Sequence, residues 1–124
     1  MKKQITCGGA PQAIGPYSQA ILSNGMLFVS GQMGLDVKTN EIPEDVSAQT
    51  RQVLENIKAI VAEAGGSMEN VVKCSVFLKD MSEFAEMNSV YGEFFSEPYP
   101  ARVTVEAARL PKDVKVEIEA IAVL

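Results

Sequence analysis

The chain has 124 residues, 47% apolar and 22% charged, a balance typical of one folded domain rather than a disordered segment. Its 16 acidic and 11 basic residues give a net charge of −5, which argues against nucleic-acid binding because phosphate contacts need a basic face. The chain contains no histidine, which removes Ser–His and Cys–His nucleophile pairs and the commonest metal ligand.

Membrane segments, secretion signals and metal sites are not indicated either. No apolar run approaches the roughly 20 residues that span a bilayer. The two N-terminal lysines lead into polar residues rather than into the apolar stretch of a signal peptide. Cys7 and Cys74 are far apart, and with scattered carboxylates they do not make a standard zinc site. We therefore expect a cytoplasmic protein without metal or cofactor and with two free thiols, a disulfide between them being the alternative.

The first predicted elements are two strands over residues 17–22 and 26–30, which turn at an Asn-Gly pair typical of tight hairpins. The second strand is apolar on both faces, which predicts burial on both sides. A helix is then predicted from Asp45 to about Ala64, where apolar residues repeat at helical spacing before a Gly-Gly stop.

The second half of the chain begins with an alternating segment over residues 70–79, which predicts a half-buried strand. One face of this strand is predicted to carry Val72, Cys74, Val76 and Leu78. A second helix is predicted from Asp80, where a capping-box pattern starts, to about Ser96. A pair of strands, Arg102–Ala108 and Val114–Leu124, is predicted to complete the domain.

The order of these elements predicts an α+β fold with two helices packed on one face of a mixed β-sheet, as a single domain over residues 1–124. The opposite face of the sheet is neither fully apolar nor clearly polar. Such a face often meets a partner chain, so we expect a homo-oligomer.

Arg102 is the main candidate for chemistry. It follows Pro100 and Ala101 and opens an otherwise apolar strand, where a buried guanidinium is costly unless an anion meets it. Its planar fork fits a carboxylate with two hydrogen bonds. Spacing alone favours a structural ion pair with Glu117 or Glu106 over an external anion.

Glu117 and Glu119 interrupt the most apolar stretch of the chain and share one face of the last strand. The simpler interpretation is a solvated face. A partly buried carboxylate at this place would instead act as a base or hold a water molecule. Whether Glu117 and Arg102 share a sheet face depends on strand register, which the sequence leaves open.

Three further residues are candidates for a site, each with a simpler structural role. Tyr17 would offer a phenol at a pocket rim, although packing is the more common role of such a tyrosine. Gly31 ends a strand and would let a ligand approach the backbone. Asn88 lies between core positions of the second helix, where a capping or solvent-facing role is the default.

Several segments together resemble one family of proteins. They are residues 13–20 (AIGPYSQA), 30–32 (SGQ), 100–102 (PAR) and 105–122 (VEAARLPKDVKVEIEAIA). This set of motifs, in this order, is similar to the Rid or YjgF-like family of reactive enamine/imine deaminases. The resemblance extends essentially from one end of the chain to the other, including two segments of the first predicted helix.

The resemblance implies a chorismate-mutase-like α+β fold and a homotrimer with three clefts between subunits. It also implies hydrolysis of 2-imino acids, formed from enamines such as 2-aminoacrylate, to 2-oxo acids and ammonia, without a cofactor. By motif position, Arg102 would bind the substrate carboxylate and Glu117 would place or activate the attacking water. Tyr17, Gly31 and Asn88 would line the cleft.

One departure from the family pattern lies two residues after Arg102. Deaminating members usually have a cysteine there, whereas this chain has Thr104, which we include among the substrate-binding residues. Without a thiol at that place, we favour hydrolysis by positioning and charge, because an iminium carbon is already electrophilic. The alternative is a non-catalytic trimeric module that binds 2-oxo acids. RNA cleavage, attached to some relatives, is disfavoured by the charge and the lack of histidine.

Overall fold

Six strands form one mixed sheet in the computed structural model, which describes residues 1–124, and two helices pack on one face of that sheet. The helices are α1 (Val46–Glu63) and α2 (Phe84–Phe94). The strands are β1 (Lys3–Ile5), β2 (Ala20–Ser23), β3 (Met26–Gln32), β4 (Val71–Leu78), β5 (Ala101–Glu106) and β6 (Val116–Val123). Their spatial order is β1-β2-β3-β6-β4-β5. The predicted α+β class, with both helices on one sheet face, is confirmed.

The β2–β3 hairpin turns at Asn24 and Gly25, both with positive φ (52° and 76°), as a two-residue turn of this kind requires. The hairpin is therefore confirmed, although β2 begins later than predicted, at Ala20. In the single chain, β3 is buried on one face only, since Met26 and Phe28 point away from the core. The prediction of burial on both sides is thus wrong for the chain by itself.

Helix α1 begins and ends where its sequence signals predict. The Asp45 carboxylate accepts a hydrogen bond from the backbone N–H of Ala48 at 2.7 Å, which caps the first turn. Gly65 follows the helix with φ +96°, a conformation that favours glycine. Neither helix is long and apolar enough to cross a membrane.

Strand β4 departs from the predicted alternation at its first residues. Its register against β6 shifts between Val71 and Lys73, so that Val71 is buried and Val72 is exposed. The prediction that Val72 shares the inner face with Cys74 is therefore wrong. The reason is an irregularity in pairing, which reverses the alternation locally and leaves no mark in the pattern of apolar residues.

Helix α2 starts later than predicted because a 3₁₀ turn over Met81–Glu83 comes first. The Asp80 carboxylate accepts from the backbone N–H of Ser82 at 2.9 Å. Glu83, however, contacts Lys115 Nζ at 3.4 Å, so the predicted capping box does not form. The helix ends at Phe94, slightly before the predicted Ser96.

The predicted pairing of the last two strands is also wrong. Strand β4 lies between β5 and β6, and β5 pairs only with β4, in parallel. Parallel neighbours need a crossover connection, and helix α2 supplies it between β4 and β5. Because β5 pairs with β4 alone, it is an edge strand, and most of its residues are exposed in the single chain.

Two buried amide side chains fix the loops at one end of the sheet. Asn56 Nδ2 donates to the carbonyl oxygens of Met33 and Leu35, at 3.1 and 3.0 Å. Gln19 Oε1 accepts from the backbone N–H of Cys7, and Gln19 Nε2 donates to the carbonyl oxygens of Cys7, Ala10 and Pro11. These loops thus gain fixed positions from side chains, although they have no regular hydrogen-bond ladder.

We expect Asn56→Ala to lower the free energy of unfolding by about 2–3 kcal/mol. Each net hydrogen bond contributes about 1 kcal/mol, and carbonyls left without a partner add to the loss. Urea unfolding followed by circular dichroism measures the difference. Lys58→Ala, an exposed change on the same helix, serves as control and is expected to change the free energy by less than about 0.5 kcal/mol. Equal stability of the two variants would contradict the role assigned to Asn56.

Candidate active site

The two main candidate residues lie on opposite faces of the sheet. Arg102 is the register partner of Cys74, which is buried on the face that the helices cover. Glu117 pairs with Phe77, and its neighbours Val116 and Ile118 are the ones that enter the core. The Glu117 side chain therefore projects from the sheet face that the helices do not cover. Strand β4 also separates their two strands, so one chain does not bring the two side chains together.

Arg102 forms no ion pair within the chain, and the predicted structural pair with Glu117 or Glu106 is wrong. Glu106 accepts a hydrogen bond from the backbone N–H of Met81 instead, at 2.8 Å. The expectation that Arg102 opens a buried strand is likewise wrong, because β5 is an exposed edge strand. The guanidinium keeps an uncompensated positive charge.

Neutral groups of helix α2 hold this guanidinium. Its Nη1 donates to Asn88 Oδ1 at 2.7 Å. Its Cζ lies 4.7 Å from the ring centroid of Tyr91 and 5.5 Å from that of Phe84. The side-chain oxygen of Asn88 is therefore occupied by its hydrogen bond with Arg102. Phe84 and Tyr91 were not among the residues predicted for the site, although their spacing from Asn88 places all three on one helix face.

An open cleft of about 430 Å³ surrounds this cation. It is lined by Asn88, Tyr91, Gly92, Tyr99, Pro100 and Arg102. A positive charge beside aromatic walls suits a small organic anion, and the guanidinium fork suits a carboxylate in particular.

Thr104 lies on the same sheet face as Arg102, one alternation further along β5, opposite Val76. Its hydroxyl oxygen is buried and has no hydrogen-bond partner in the chain. It is not among the residues that line the cleft around Arg102. Within the single chain, Thr104 therefore belongs to the interior behind the guanidinium.

Tyr17 and Gly31 line a second, larger cleft of about 750 Å³ at the other end of the sheet. Its walls come mainly from the loops that Gln19 and Asn56 fix, together with Lys112. Tyr17 is half exposed at the rim, and its hydroxyl accepts from the backbone N–H of Ile14 at 3.4 Å.

Gly31 sits directly against Glu117. The register of β3 against β6 shifts between Val29 and Gln32, and this bulge brings the Gly31 backbone up to the carboxylate. A Cβ atom at Gly31 would collide with Glu117 Oε2 and lie 3.1 Å from its Cδ. A ligand was predicted to approach the backbone at Gly31, and in the structure the side chain of Glu117 occupies that position.

The Glu117 carboxylate is half-buried, and this burial raises its pKa above the ordinary value for glutamate. The negative charge of Glu119, which shares the strand face, raises the pKa further. A carboxylate of raised pKa is a better proton acceptor when ionised, which is the property a general base needs.

No group of three or more Cys, Asp or Glu side chains lies close enough together to hold a metal ion. Cys7 and Cys74 are both free and buried, as predicted. Burial raises the pKa of the Cys74 thiol, although Tyr91 and Arg102 partly oppose this. At neutral pH this cysteine is therefore protonated and a poor nucleophile.

A family model described as endoribonuclease L-PSP matches residues 7–124 of the sequence. The chain belongs to this family, the Rid or YjgF-like proteins. The family predicted from its motifs is therefore confirmed.

Named relatives agree with this membership. A RutC family protein of Pyrococcus horikoshii is 58% identical over 98% of each chain. The 2-iminobutanoate/2-iminopropanoate deaminase of Salmonella typhimurium is 54% identical over 99% of this chain and 98% of the relative.

Solved structures of this Rid family also match closely. Escherichia coli TdcF with bound serine superposes with a TM-score of 0.94 at 51% identity, covering 98% of each chain. RidA from an Antarctic Psychrobacter has a TM-score of 0.95 at 48% identity, covering 98% of this chain and 99% of that one.

We expect Glu119→Gln to lower the pKa of Glu117 toward its ordinary value, because the substitution removes the like charge that favours the protonated form. The carboxyl ¹³C signal of Glu117, titrated by NMR, measures this pKa directly. Glu106→Gln is the matched control, since Glu106 lies on the edge strand and is not among the groups that raise this pKa. An unchanged Glu117 pKa in the Glu119 variant would refute the coupling.

Proposed function

We propose that this chain is a deaminase that hydrolyses 2-imino acids such as 2-iminobutanoate and 2-iminopropanoate to 2-oxo acids and ammonia. Relatives of that name from Salmonella typhimurium and Escherichia coli are 54% and 52% identical over 99% of this chain. The observation that carries the proposal is Arg102, whose guanidinium lines an open cleft and has no acidic partner. A substrate carboxylate would supply the missing charge.

The complete site would need a second copy of the chain. Arg102 and Glu117 lie on opposite sheet faces, so one subunit does not present both to the same small molecule. The uncovered sheet face carries Glu117 and Glu119 together with apolar residues that are 40–46% exposed, namely Phe28, Val103, Val105 and Val123. Burying this face in a homotrimer would stabilise the assembly. It would also bring the Arg102 cleft of one subunit to the Gly31 and Glu117 of the next.

In the proposed reaction, Arg102 binds the substrate carboxylate, and the iminium group lies near Glu117 of the neighbouring subunit. The negative charge of Glu117 favours the protonated, electrophilic iminium. A water molecule held by this carboxylate adds to the iminium carbon and transfers one proton to Glu117. Glu117 then returns the proton to the nitrogen. The carbinolamine hydroxyl then gives its proton to Glu117 as the C=O bond forms and the C–N bond breaks. The leaving ammonia takes up this proton, and the products are a 2-oxo acid and ammonium.

No covalent intermediate is required in this scheme. The place that usually carries a cysteine is Thr104, whose hydroxyl is buried without a partner, and the nearby Cys74 thiol has a raised pKa. The rate would come from positioning and from fixed charge around an electrophile that is already reactive. Tyr17 would close the rim of the cleft above the substrate.

The description of the matching family model favours one other activity, cleavage of RNA. Incubation of the purified protein with single-stranded RNA, beside a coupled assay for imine hydrolysis, separates the two. The proposal expects ammonia release and no RNA cleavage. Binding of 2-oxobutanoate with no hydrolysis above the buffer rate would instead support a non-catalytic binding module.

We expect Arg102→Lys to lower kcat/KM on 2-iminobutanoate by about 10- to 100-fold. A lysine keeps the charge but loses the two-pronged contact, and a charge-assisted hydrogen bond contributes about 1.5–3 kcal/mol. A coupled steady-state assay measures the loss. Arg109→Lys is the control, since Arg109 is exposed and forms no ion pair in the chain. Wild-type kinetics in the Arg102 variant would refute the carboxylate clamp.

Gly31→Ala is expected to lower kcat by about 100-fold, because the added methyl group displaces the Glu117 carboxylate and small displacements of a catalytic group are costly. Binding of 2-oxobutanoate is expected to weaken much less, since Arg102 is untouched. Gly8→Ala is the matched control, because a Cβ atom there meets nothing within 4 Å. An unchanged kcat in the Gly31 variant would show that the position of Glu117 is not important for turnover.

A further inference from the structure

An arginine on an exposed edge strand is ordinarily mobile, since its long side chain loses rotamer entropy when it is held in one place. Arg102 is on such a strand. A mobile guanidinium would make a poor binding site for a small carboxylate, because each binding event would have to order the side chain first. The contacts that order Arg102 before binding are therefore part of the site.

Tyr91 supplies the closer of the two aromatic contacts to Arg102. The guanidinium carbon lies 4.7 Å from the centroid of its ring, nearer than to the ring of Phe84 at 5.5 Å. A cation over an aromatic face is attracted by the ring quadrupole, and the flat guanidinium also packs well on a flat ring. The ring therefore favours one position of the guanidinium.

The Tyr91 ring is itself held on several sides. Only 5% of the residue is exposed, and its ring packs on Phe95 with centroids 4.7 Å apart. The hydroxyl oxygen is buried and lies near the Cys74 thiol without reaching hydrogen-bond geometry. Cys74 is in turn the register partner of Arg102 on the neighbouring strand. Helix and sheet thus fix the ring and the arginine relative to each other.

Burial raises the pKa of Tyr91 well above the ordinary value, and the adjacent Cys74 raises it further. The phenol is therefore neutral over the whole physiological pH range. It offers the guanidinium a neutral aromatic face rather than a phenolate charge, which would compete with a bound carboxylate.

Asn88 constrains the remaining freedom of the guanidinium. Its Oδ1 accepts from Nη1 at 2.7 Å, whereas Nε and Nη2 make no hydrogen bond in the chain. The ring limits where the guanidinium rests, and the amide limits its rotation. The Nε–Nη2 edge is thereby left free for an incoming carboxylate.

We propose that Tyr91 is a positioning residue, whose buried ring holds the Arg102 guanidinium in the orientation that receives the substrate carboxylate. This inference rests on the proposed function for the identity of the anion. The ordering of Arg102 by the ring stands apart from that function and is measured separately.

The first experiment needs no substrate and no substitution. In the wild-type protein, the side-chain protons of Arg102 are expected to shift upfield from the ring current of Tyr91, relative to those of exposed Arg109. The heteronuclear NOE of Arg102 Nε–H is expected to report an ordered group. A mobile Arg102 signal without an upfield shift would overturn the proposal, whether or not the protein is a deaminase.

The second experiment compares variants of Tyr91 and its neighbours in binding of 2-oxobutanoate by calorimetry and in steady-state kinetics. Tyr91→Phe keeps the ring and is expected to bind within about twofold of the wild type. Tyr91→Leu loses the ring and is expected to bind about 3- to 30-fold more weakly, the range for a cation–π contact. Its KM is expected to rise by the same factor, with kcat nearly unchanged.

Phe95→Leu is the matched control, because it removes the other ring of the same buried stack and leaves the ring under Arg102. Its binding is expected to stay near the wild-type value even where its melting temperature falls. In an Arg102→Lys background, Tyr91→Leu is expected to weaken binding by much less than it does alone, because the two residues act as one unit.

If Tyr91→Leu and Phe95→Leu weaken binding of 2-oxobutanoate equally, Tyr91 has only a general packing role, and the proposal is overturned. Fully additive effects of Tyr91→Leu and Arg102→Lys would also overturn it. If the wild-type protein binds no 2-oxo acid at all, the proposed function fails, and the NMR experiment still decides whether the ring orders the arginine.

Discussion

The Arg102 guanidinium is fixed by an amide oxygen and two aromatic rings and by no carboxylate, and most of the functional interpretation depends on this arrangement. A chain with 16 acidic residues has ample means to neutralise an arginine. Here the Arg102 guanidinium has no acidic partner and lies beside a cleft. Because a carboxylate gains most from a guanidinium that is both uncompensated and ordered, the environment of Arg102 is suited to an external anion.

The place of Arg102 follows from the crossover between β4 and β5. Strand β5 pairs only with β4 and forms the sheet edge, and helix α2, which connects these two parallel strands, contacts Arg102 at that edge. The helix that leads into this edge strand thus also carries Asn88 and Tyr91, which contact Arg102. Had the last two strands formed a hairpin, Arg102 would lie beside β6 and away from its aromatic neighbours.

At the other cleft, the backbone rather than a charge sets the geometry. The bulge in β3 lets Gly31 meet Glu117, whose half-burial and neighbouring Glu119 raise its pKa. The proposed function assigns complementary roles to two regions of the chain, anion binding at Arg102 and proton transfer at Glu117, which contacts Gly31. In the proposed trimer, the apolar residues of the uncovered sheet face would bring these two regions of neighbouring subunits together, so activity would depend on assembly.

Several turns and helix ends of this fold were determined by the sequence itself, because the signals for them involve only a few neighbouring residues. The Asn-Gly turn and the glycine that follows α1 each satisfy their own backbone requirements, and both were predicted, as was the start of α1 near Asp45. The family was also evident from motifs alone, and Arg102 was identified from its chemistry. The pairing of β5 with β4, the bulges in β3 and β4, and the opposite faces of Arg102 and Glu117 were decided only by the tertiary structure. They depend on which distant strands pair and in which register, and the free energy that selects them comes from packing the whole core.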